Sequence, residues 1–357
     1  MLAAHSTQTL PFLGAESMKR RALFPFYILM LAIVMAIAAV GCTSSQAPAT
    51  ESAGDYKIVL ILPGPINDQS WNATNYAGLV KTNETLGTKI EFVENVQAAD
   101  YESTFRNYAE RGYDLIMAAG TQFDEAANKV AKDYPKTRFT VVNGMVSEGE
   151  NVAPIFPKEY EASYIAGLIA GEVSQNGQFA TIGGFPNDAM EKLLDVYEKT
   201  AVSVATERGI TGAKATRAYA NSWDDVALGK QMAETMIAEG ADTLFVYANQ
   251  VGLGSIQAAK EKGALFVGFS SDQNSVAPGT VVASVPFDFE VFYPWAIQKF
   301  LNGELTGNTV HMAGIKDGIF RAVFTDAITP EMRERVEAGI QKVINDEIDL
   351  TTMFATN

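Results

Sequence analysis

Two tryptophans, each preceded by a serine, stand where the chain could hold a flat aromatic ligand. Trp71 lies in the loop 63–72 and Trp223 in the loop 220–225, and a segment with helical spacing follows each loop. An indole that stacks on a flat heterocycle contributes roughly 1–3 kcal/mol of binding per ring. Two indoles that face each other would therefore clamp such a ligand. The alternative for each ring is that it covers a hydrophobic core.

Three further loops carry polar groups or glycines directly after apolar runs. They contain Phe123 and Asp124, then Gly252 and Gly254, and then Asp272. A carboxylate there accepts hydrogen bonds from ring N–H groups or sugar hydroxyls, although an aspartate before a helix is commonly an N-cap. Glycines let the backbone approach a ligand closely at the start of a helix. The Gly252 and Gly254 pair lacks the further residues of a dinucleotide fingerprint.

The elements that position these loops alternate along the chain. Short apolar runs recur with helical stretches between most of them, and this alternation is typical of βαβ units with a parallel sheet. The runs are 58–62, 90–93, 115–118, 139–142, 180–182, 243–247, 265–269 and 281–285. The pattern restarts near residue 179, which predicts two similar α/β lobes. Because open sheets bind ligands beyond the carboxyl ends of their strands, we expect the site in the cleft between the lobes.

Residues 18–42 predict export. Met18 is followed by three basic residues, an apolar run and small residues that end at Cys42, which is the only cysteine of the chain. This arrangement predicts a signal peptide over residues 1–41, with Met18 as a possible true start, and it resembles a bacterial lipobox with lipidation on Cys42. Residues 42–54 then form a small, polar tether. A plain transmembrane anchor is the alternative, but it gives the cysteine no role.

Composition excludes several classes of function. The formal net charge is −15 and no basic cluster follows Arg21, so nucleic acid is not an expected partner. The exported part has only His311 and no free thiol, so a His/Cys metal site is not expected. No Gly-x-Ser-x-Gly elbow and no Asp-x-Asp pair occur. We therefore predict a monomeric binding protein without a cofactor, and not an enzyme.

An ordered set of motifs resembles the basic membrane lipoprotein (BMP) family of ABC importers. The motifs cover roughly residues 55–345. They are Asp68-Gln-Ser-Trp-Asn72, Glu161-Ala-Ser-Tyr-Ile-Ala-Gly167, Ile182-Gly-Gly184, Ser222-Trp-Asp-Asp225, Gly240-Ala-Asp242 and Gly268-Phe-Ser-Ser-Asp-Gln273. The resemblance implies a two-lobed type I periplasmic-binding-protein fold, each lobe with a mostly parallel sheet and helices on both faces. It also implies a lipid-anchored extracytoplasmic protein that captures a purine nucleobase or nucleoside for an ABC permease.

The resemblance also implies roles for individual residues. Trp71 stands where members commonly have Phe, and Trp223 matches the aromatic residue of the second lobe. Asp272 corresponds to the carboxylate that contacts ribose, and Asn72 and Asp124 fall where polar groups reach the base edge.

One segment departs from the family pattern. Members that bind nucleosides usually have a lysine after the next strand, whereas this chain reads Ala283-Ser-Val-Pro-Phe287 there, with no lysine or arginine before Lys299. A bulky Phe287 would crowd a sugar pocket. We therefore slightly favour a free nucleobase or a similar flat heterocycle. A sensory receptor of the same fold is the alternative to transport.

Hinge closure around the ligand is the predicted mechanism. The first lobe is predicted to contain residues 55–157 and 275–309, and the second residues 163–270 and 312–357. The hinge crossings are expected near residues 158–162, 271–275 and 309–312.

Overall fold

The computed structural model describes residues 52–67 and 71–354. The predicted signal peptide, Cys42, most of the tether and Asp68 therefore lie outside the described residues. The strands are β1 (Ile58–Ile61), β2 (Glu91–Val93), β3 (Leu115–Ala119), β4 (Arg138–Val142), β5 (Ile155–Pro157), β6 (Gln178–Gly183), β7 (Lys214–Tyr219), β8 (Thr243–Tyr247), β9 (Leu265–Ser270), β10 (Val281–Pro286), β11 (His311–Ala313) and β12 (Val323–Phe324). The α-helices are α1 (Trp71–Leu86), α2 (Tyr101–Glu110), α3 (Asp124–Ala131), α4 (Glu159–Val173), α5 (Asp188–Glu207), α6 (Val226–Ala238), α7 (Asn249–Lys262), α8 (Phe289–Leu301) and α9 (Pro330–Ile344).

The strands form two six-stranded sheets. The order in sheet one is β11-β5-β4-β3-β1-β2, and in sheet two it is β12-β10-β9-β8-β6-β7. All described pairings within the sheets are parallel except that of β10 with β12, which is antiparallel. This architecture confirms the predicted α/β fold of two lobes.

The sequence explains why the strands lie inside. Every residue of β1, β3 and β10 is buried, as expected for parallel strands that helices cover on both faces. The helices begin and end at recognisable signals: the Asn187 side chain caps α5 by accepting from the Met190 amide, and Gly263 ends α7 at a φ of 76°. Within the described residues, no helix combines the length and the apolar character that crossing a membrane requires.

Three segments carry the chain from one sheet to the other, and hydrogen bonds link them. The first leaves β5 for α4, and its Lys158 amide donates to the Ala313 carbonyl at the end of β11 at 2.8 Å. Glu161 in α4 accepts from the Ile315 amide in the third crossing at 2.6 Å. The second crossing leaves β10 for α8, and its Asp288 amide donates to the Ile319 carbonyl at 3.0 Å.

Two strands lie in a different lobe from the one predicted. Strand β10 belongs to sheet two, where Val285 pairs with Phe269, so the assignment of residues 275–309 to the first lobe is wrong for this strand. The crossing accordingly lies at residues 287–288 and not near 271–275. The physical reason is the connection from β9 to β10, which has no helix although parallel neighbours usually need one. Strand β11 pairs with β5 in sheet one, so the third crossing follows residue 313.

Candidate functional site

The first indole lies at the carboxyl edge of sheet one. Trp71 begins α1 and is half-buried, and its Nε1–H donates to the Ala119 carbonyl at the end of β3 at 3.0 Å. The ring meets Phe289 edge to face, with centroids 5.5 Å apart. This hydrogen bond and ring contact fix the orientation of the indole before any ligand binds.

The second indole lies at the carboxyl edge of sheet two. Trp223 is half-buried and packs against Gly184, where a Cβ would lie 2.5 Å from the indole Cε3. Only glycine therefore allows the ring to lie so close to the end of β6. Phe185, which is 38% exposed, stands beside the indole with centroids 5.6 Å apart. Each tryptophan thus lies at the carboxyl edge of its own sheet, but Trp71 follows the first strand of its lobe, whereas Trp223 follows the second, the edge strand β7.

Two polar residues predicted for the first lobe are buried and bind its own loops. Asn72 is 8% exposed, and its Oδ1 accepts from the Gly64 amide at 3.1 Å. Asp124 is also 8% exposed and accepts from the Met145 amide at 3.0 Å, while its Oδ1 has no hydrogen-bond partner among the described residues. Burial raises the pKa of Asp124, and the amide donors of the 145–146 loop oppose that shift.

The structure corrects two of the predicted ligand contacts. Phe123 is fully buried and packs between Tyr101 and Phe105, at centroid distances of 4.1 and 6.1 Å, so it is a core residue. Gly254 lies inside α7, where a Cβ would overlap the Val226 carbonyl oxygen of α6. Gly254 therefore allows α6 and α7 to pack closely, because a side chain at this position would collide with the backbone of α6 and would not reach a ligand.

The remaining predicted site residues are Gly252, Asp272 and Phe287. Gly252 lies in the first turn of α7 with no atom closer than 3.9 Å to a built Cβ. Asp272 is exposed, and its Oδ1 accepts from the Asn274 amide at 3.0 Å in a tight turn after β9. Phe287 is half-buried and leans on Phe289 and Phe320, with centroids 4.1 and 5.5 Å away.

A cavity of about 480 Å³ lies where the two lobes approach each other beside α1. Its lining comes from both lobes and from the second crossing: Ala73, Thr74 and Ala77 of α1, Ser270, Ser271 and Pro286 at the ends of β9 and β10, then residues 287–290 and Arg321. Ser270 has a φ of 71°, a strained conformation for a residue other than glycine. The cavity thus adjoins the helix that begins with Trp71.

Comparison with known families identifies this arrangement. The family model for the PnrA-like ABC transporter substrate-binding proteins, named Bmp, matches residues 56–352. The chain belongs to this family. The match covers both lobes and all three crossings, so the predicted resemblance is confirmed.

Named relatives and solved structures agree with the family match. The chain is 29% identical to the ABC transporter nucleoside-binding protein BmpA of Lactococcus lactis over 242 residues, which cover 65% of this chain and 68% of that protein. It is 26% identical to basic membrane protein A2 of Borrelia garinii over 304 residues, or 82% and 87% of the two chains. The fold is similar to an ABC transporter solute-binding protein from Aeropyrum pernix, with a TM-score of 0.65 and 22% identity over 82% of this chain and 92% of that one.

Membership in the Bmp family sets the general role of the protein. The protein is an ABC transporter substrate-binding protein. This role implies a small-molecule ligand, a permease partner and an extracytoplasmic location. The family model describes binding proteins and not enzymes.

The sequence did not predict Arg321 and Ser270, which line the cavity. No local pattern marks Arg321, because it reaches the cavity from a distant segment, whereas the Ser270-Ser271 pair before Asp272 offered a weak signal.

Proposed function

We propose that this Bmp-family protein binds a purine nucleobase or nucleoside between Trp71 and Trp223 and delivers it to an ABC permease. The presence of two half-buried indoles, one at the carboxyl edge of each sheet, carries this proposal. Two stacking faces at roughly 1–3 kcal/mol each supply a large share of a micromolar affinity, which is about 8 kcal/mol. The similarity to a nucleoside-binding protein of Lactococcus lactis supports the same ligand class.

Capture follows from the way the lobes are joined. Three neighbouring crossings connect the two sheets, so a small change of backbone angles in these segments can bring the lobes together. Only the closed form presents both indoles to the ligand. The permease can then distinguish the loaded protein from the empty one, because the two forms expose different surfaces.

The ligand class is tested by identification and by titration. Mass spectrometry of small molecules that copurify with the chain should reveal a purine. Isothermal titration with adenine, guanine, adenosine and guanosine should show at least one dissociation constant in the micromolar range or below, with ribose and glucose as negative controls. A copurified sugar or amino acid, together with no binding in the purine series, would contradict the proposal.

We also propose that a lipid on Cys42 holds the protein at the outer face of the membrane. The lone cysteine after the small residues 39–41 supports this assignment. Cys42→Ser should release the protein from the membrane fraction into the medium or periplasm without changing ligand affinity. Retention of the variant in the membrane would indicate an uncleaved apolar anchor instead.

A further inference from the structure

The second lobe exposes a group of large apolar side chains at the carboxyl edge of its sheet. Phe185, Val226 and Leu253 are 38%, 39% and 44% exposed. A single exposed apolar side chain is ordinary, but a contiguous group of them indicates a surface that a partner covers. We call these three residues the apolar rim.

Two contacts make the apolar rim continuous. Phe185 lies beside the indole of Trp223, with ring centroids 5.6 Å apart, and Val226 follows Trp223 by three residues. A Cβ at Gly254 would overlap the Val226 carbonyl oxygen, so the starts of α6 and α7 touch. Leu253 and Val226 are therefore neighbours on the surface.

Hydrogen bonds fix the backbone beneath the apolar rim. The Gln250 amide donates to the Trp223 carbonyl at 2.9 Å, which holds the start of α7. Asp225 caps α6 by accepting from the Leu228 amide at 2.9 Å. The exposed side chains thus stand on a preorganised backbone, which lowers the entropy cost of association with a partner.

The apolar rim lies at the end of sheet two that is farthest from the second crossing. Its residues follow strands β6, β7 and β8, and β7 is the edge strand. The second crossing leaves β10, which three strands separate from β7. Because a rotation about the crossings displaces distant atoms most, closure of the lobes moves this end of the sheet the furthest.

Negative charge surrounds the apolar rim. The segments that form it, 184–191, 221–229 and 248–257, contain four acidic residues and no lysine, arginine or histidine. All four acidic residues are exposed: Asp188, Glu191, Asp224 and Asp225. A second copy of this chain would bring the same charges, and an anionic membrane surface would also be repelled. The surface that fits is apolar at its centre and basic around it.

We propose that the apolar rim is the surface of the second lobe that contacts the permease. Membership in a family of ABC transporter substrate-binding proteins supplies this partner. The inference depends on that membership and not on the identity of the ligand. The apolar rim enters an apolar depression on the extracytoplasmic side of the permease, and lysine or arginine side chains around that depression pair with the four carboxylates. Since closure displaces the apolar rim, this contact distinguishes the loaded protein from the empty one.

Photocrosslinking in the native host cells tests the contact directly. p-Benzoylphenylalanine placed at Leu253 of the full chain should form an adduct with the integral membrane subunit of an ABC transporter, identified by mass spectrometry of its peptides. The same group at Val80 is the matched control, because Val80 is a 36% exposed helical residue on α1 of the other lobe. It should give no such adduct. An adduct of Leu253 with a second copy of the chain or with another class of protein contradicts the proposal, and so does the absence of any adduct.

Charge substitution measures what the contact contributes. Leu253→Asp places a carboxylate in the apolar centre and should lower the uptake of labelled guanosine or adenine by the host cells roughly tenfold or more. Its dissociation constants for these compounds should stay within about twofold of the wild type, because an interface substitution of this kind acts on the partner alone. Val80→Asp should leave both uptake and affinity unchanged. Thermal unfolding checks that both variants fold, as expected for substitutions at exposed positions.

The two measurements separate the possible failures. If Leu253→Asp loses ligand affinity to the same extent as uptake, the apolar rim belongs to the ligand site and the assignment is wrong. Unchanged uptake with this variant overturns it as well. If the wild type neither binds nor imports guanosine or adenine, the proposed function fails, and crosslinking at Leu253 still decides this inference.

Discussion

At the scale of single residues, the two indoles of the candidate site are supported in different ways. Trp71 is held by a hydrogen bond to Ala119 and by the edge of Phe289, whereas Trp223 lies against the backbone at Gly184. Trp71 thus contributes to the packing of its own lobe as well as to the proposed site. The two rings should consequently respond differently to truncation.

Replacing either tryptophan by alanine should weaken ligand binding. We expect Trp71→Ala and Trp223→Ala each to cost about 1–3 kcal/mol of binding free energy, because each removes one stacking face. Trp71→Ala should in addition lower the free energy of unfolding by about 1–3 kcal/mol, since it removes a half-buried ring and its hydrogen bond. Isothermal titration and chemical denaturation measure the two quantities separately.

Trp295→Phe is the control for these variants. Trp295 lies on α8 and stacks on Phe292 at a centroid distance of 5.6 Å, outside the cavity lining. It should leave affinity unchanged. If Trp71→Ala and Trp223→Ala both bind the ligand as the wild type does, the stacking role is refuted.

Residue types in a loop predict which side chains follow a strand, but not which way each one points. Trp71 and Phe123 both lie where the connection from a strand of sheet one meets the next helix, yet the first is half-buried at the edge and the second lies in the core. Phe123 is drawn inward because Tyr101 and Phe105 of α2 provide aromatic partners. Those partners are distant in sequence, so the loop alone could not reveal them.

At the scale of elements, the close contact of α6 with α7 depends on glycines. A Cβ at Gly254 would lie 2.9 Å from the Lys230 amide nitrogen and would overlap the Val226 carbonyl oxygen. Both obstacles are backbone atoms, so neither can rotate away. The sequence predicted that the backbone at Gly254 approaches a ligand. A glycine pair at the start of a helix looks the same whether it permits ligand binding or close helix packing.

Gly254→Ala should therefore destabilise the fold. We expect a loss of about 1–3 kcal/mol from overpacking, although alanine is the better helix former by roughly 1 kcal/mol. Gly252→Ala is the matched control two residues earlier in the same helix, where the nearest atom to a Cβ is 3.9 Å away. It should keep or slightly raise stability. Denaturant unfolding of both variants compares them, and equal stabilities would show that α6 and α7 can separate without cost.

Strand identity could be predicted from sequence, but neighbour relations could be predicted only in part. The apolar run 281–285 correctly indicated a buried strand, and β10 is buried throughout. Its partner was wrongly predicted because burial specifies that a strand is covered and not which sheet contains it. The pairing of β10 with β9 places β10 in sheet two. The connection between these two strands contains no periodic pattern that would have predicted this pairing.

At the scale of the whole molecule, the crossings determine how the lobes are held and where charge is buried. Glu161 of α4 accepts from the Ile315 amide at 2.6 Å and lies 3.2 Å from Lys158, so it ties the first crossing to the third. Glu159, two residues earlier, forms no ion pair with any of the residues that the structure describes. Burial raises its pKa to about 7, and the hydrogen bond from Tyr247 only partly opposes this shift.

The half-buried carboxyl of Glu159 should make the stability of the protein depend on pH. In the unfolded chain the group titrates near its ordinary value of 4.5, so between that pH and about 7 the folded state retains a proton that the unfolded state has lost. The contribution is fully present below pH 4.5 and is lost as the pH rises through 7. Its size is roughly 1–3 kcal/mol, because the side chain keeps some exposed surface.

Glu159→Gln should abolish this dependence. Urea unfolding at about pH 5 and about pH 8 should show that the wild type loses roughly 1–3 kcal/mol more than the variant between the two conditions, since glutamine stays neutral throughout. Glu337→Gln, which changes an exposed glutamate on α9, should follow the wild type. A Glu159→Gln variant whose stability falls with pH as steeply as that of the wild type would show that this carboxyl is already ionised in the folded protein. The first crossing would then tolerate a half-buried charge beside the Tyr247 hydroxyl, and the source of any pH dependence would have to lie elsewhere in the chain.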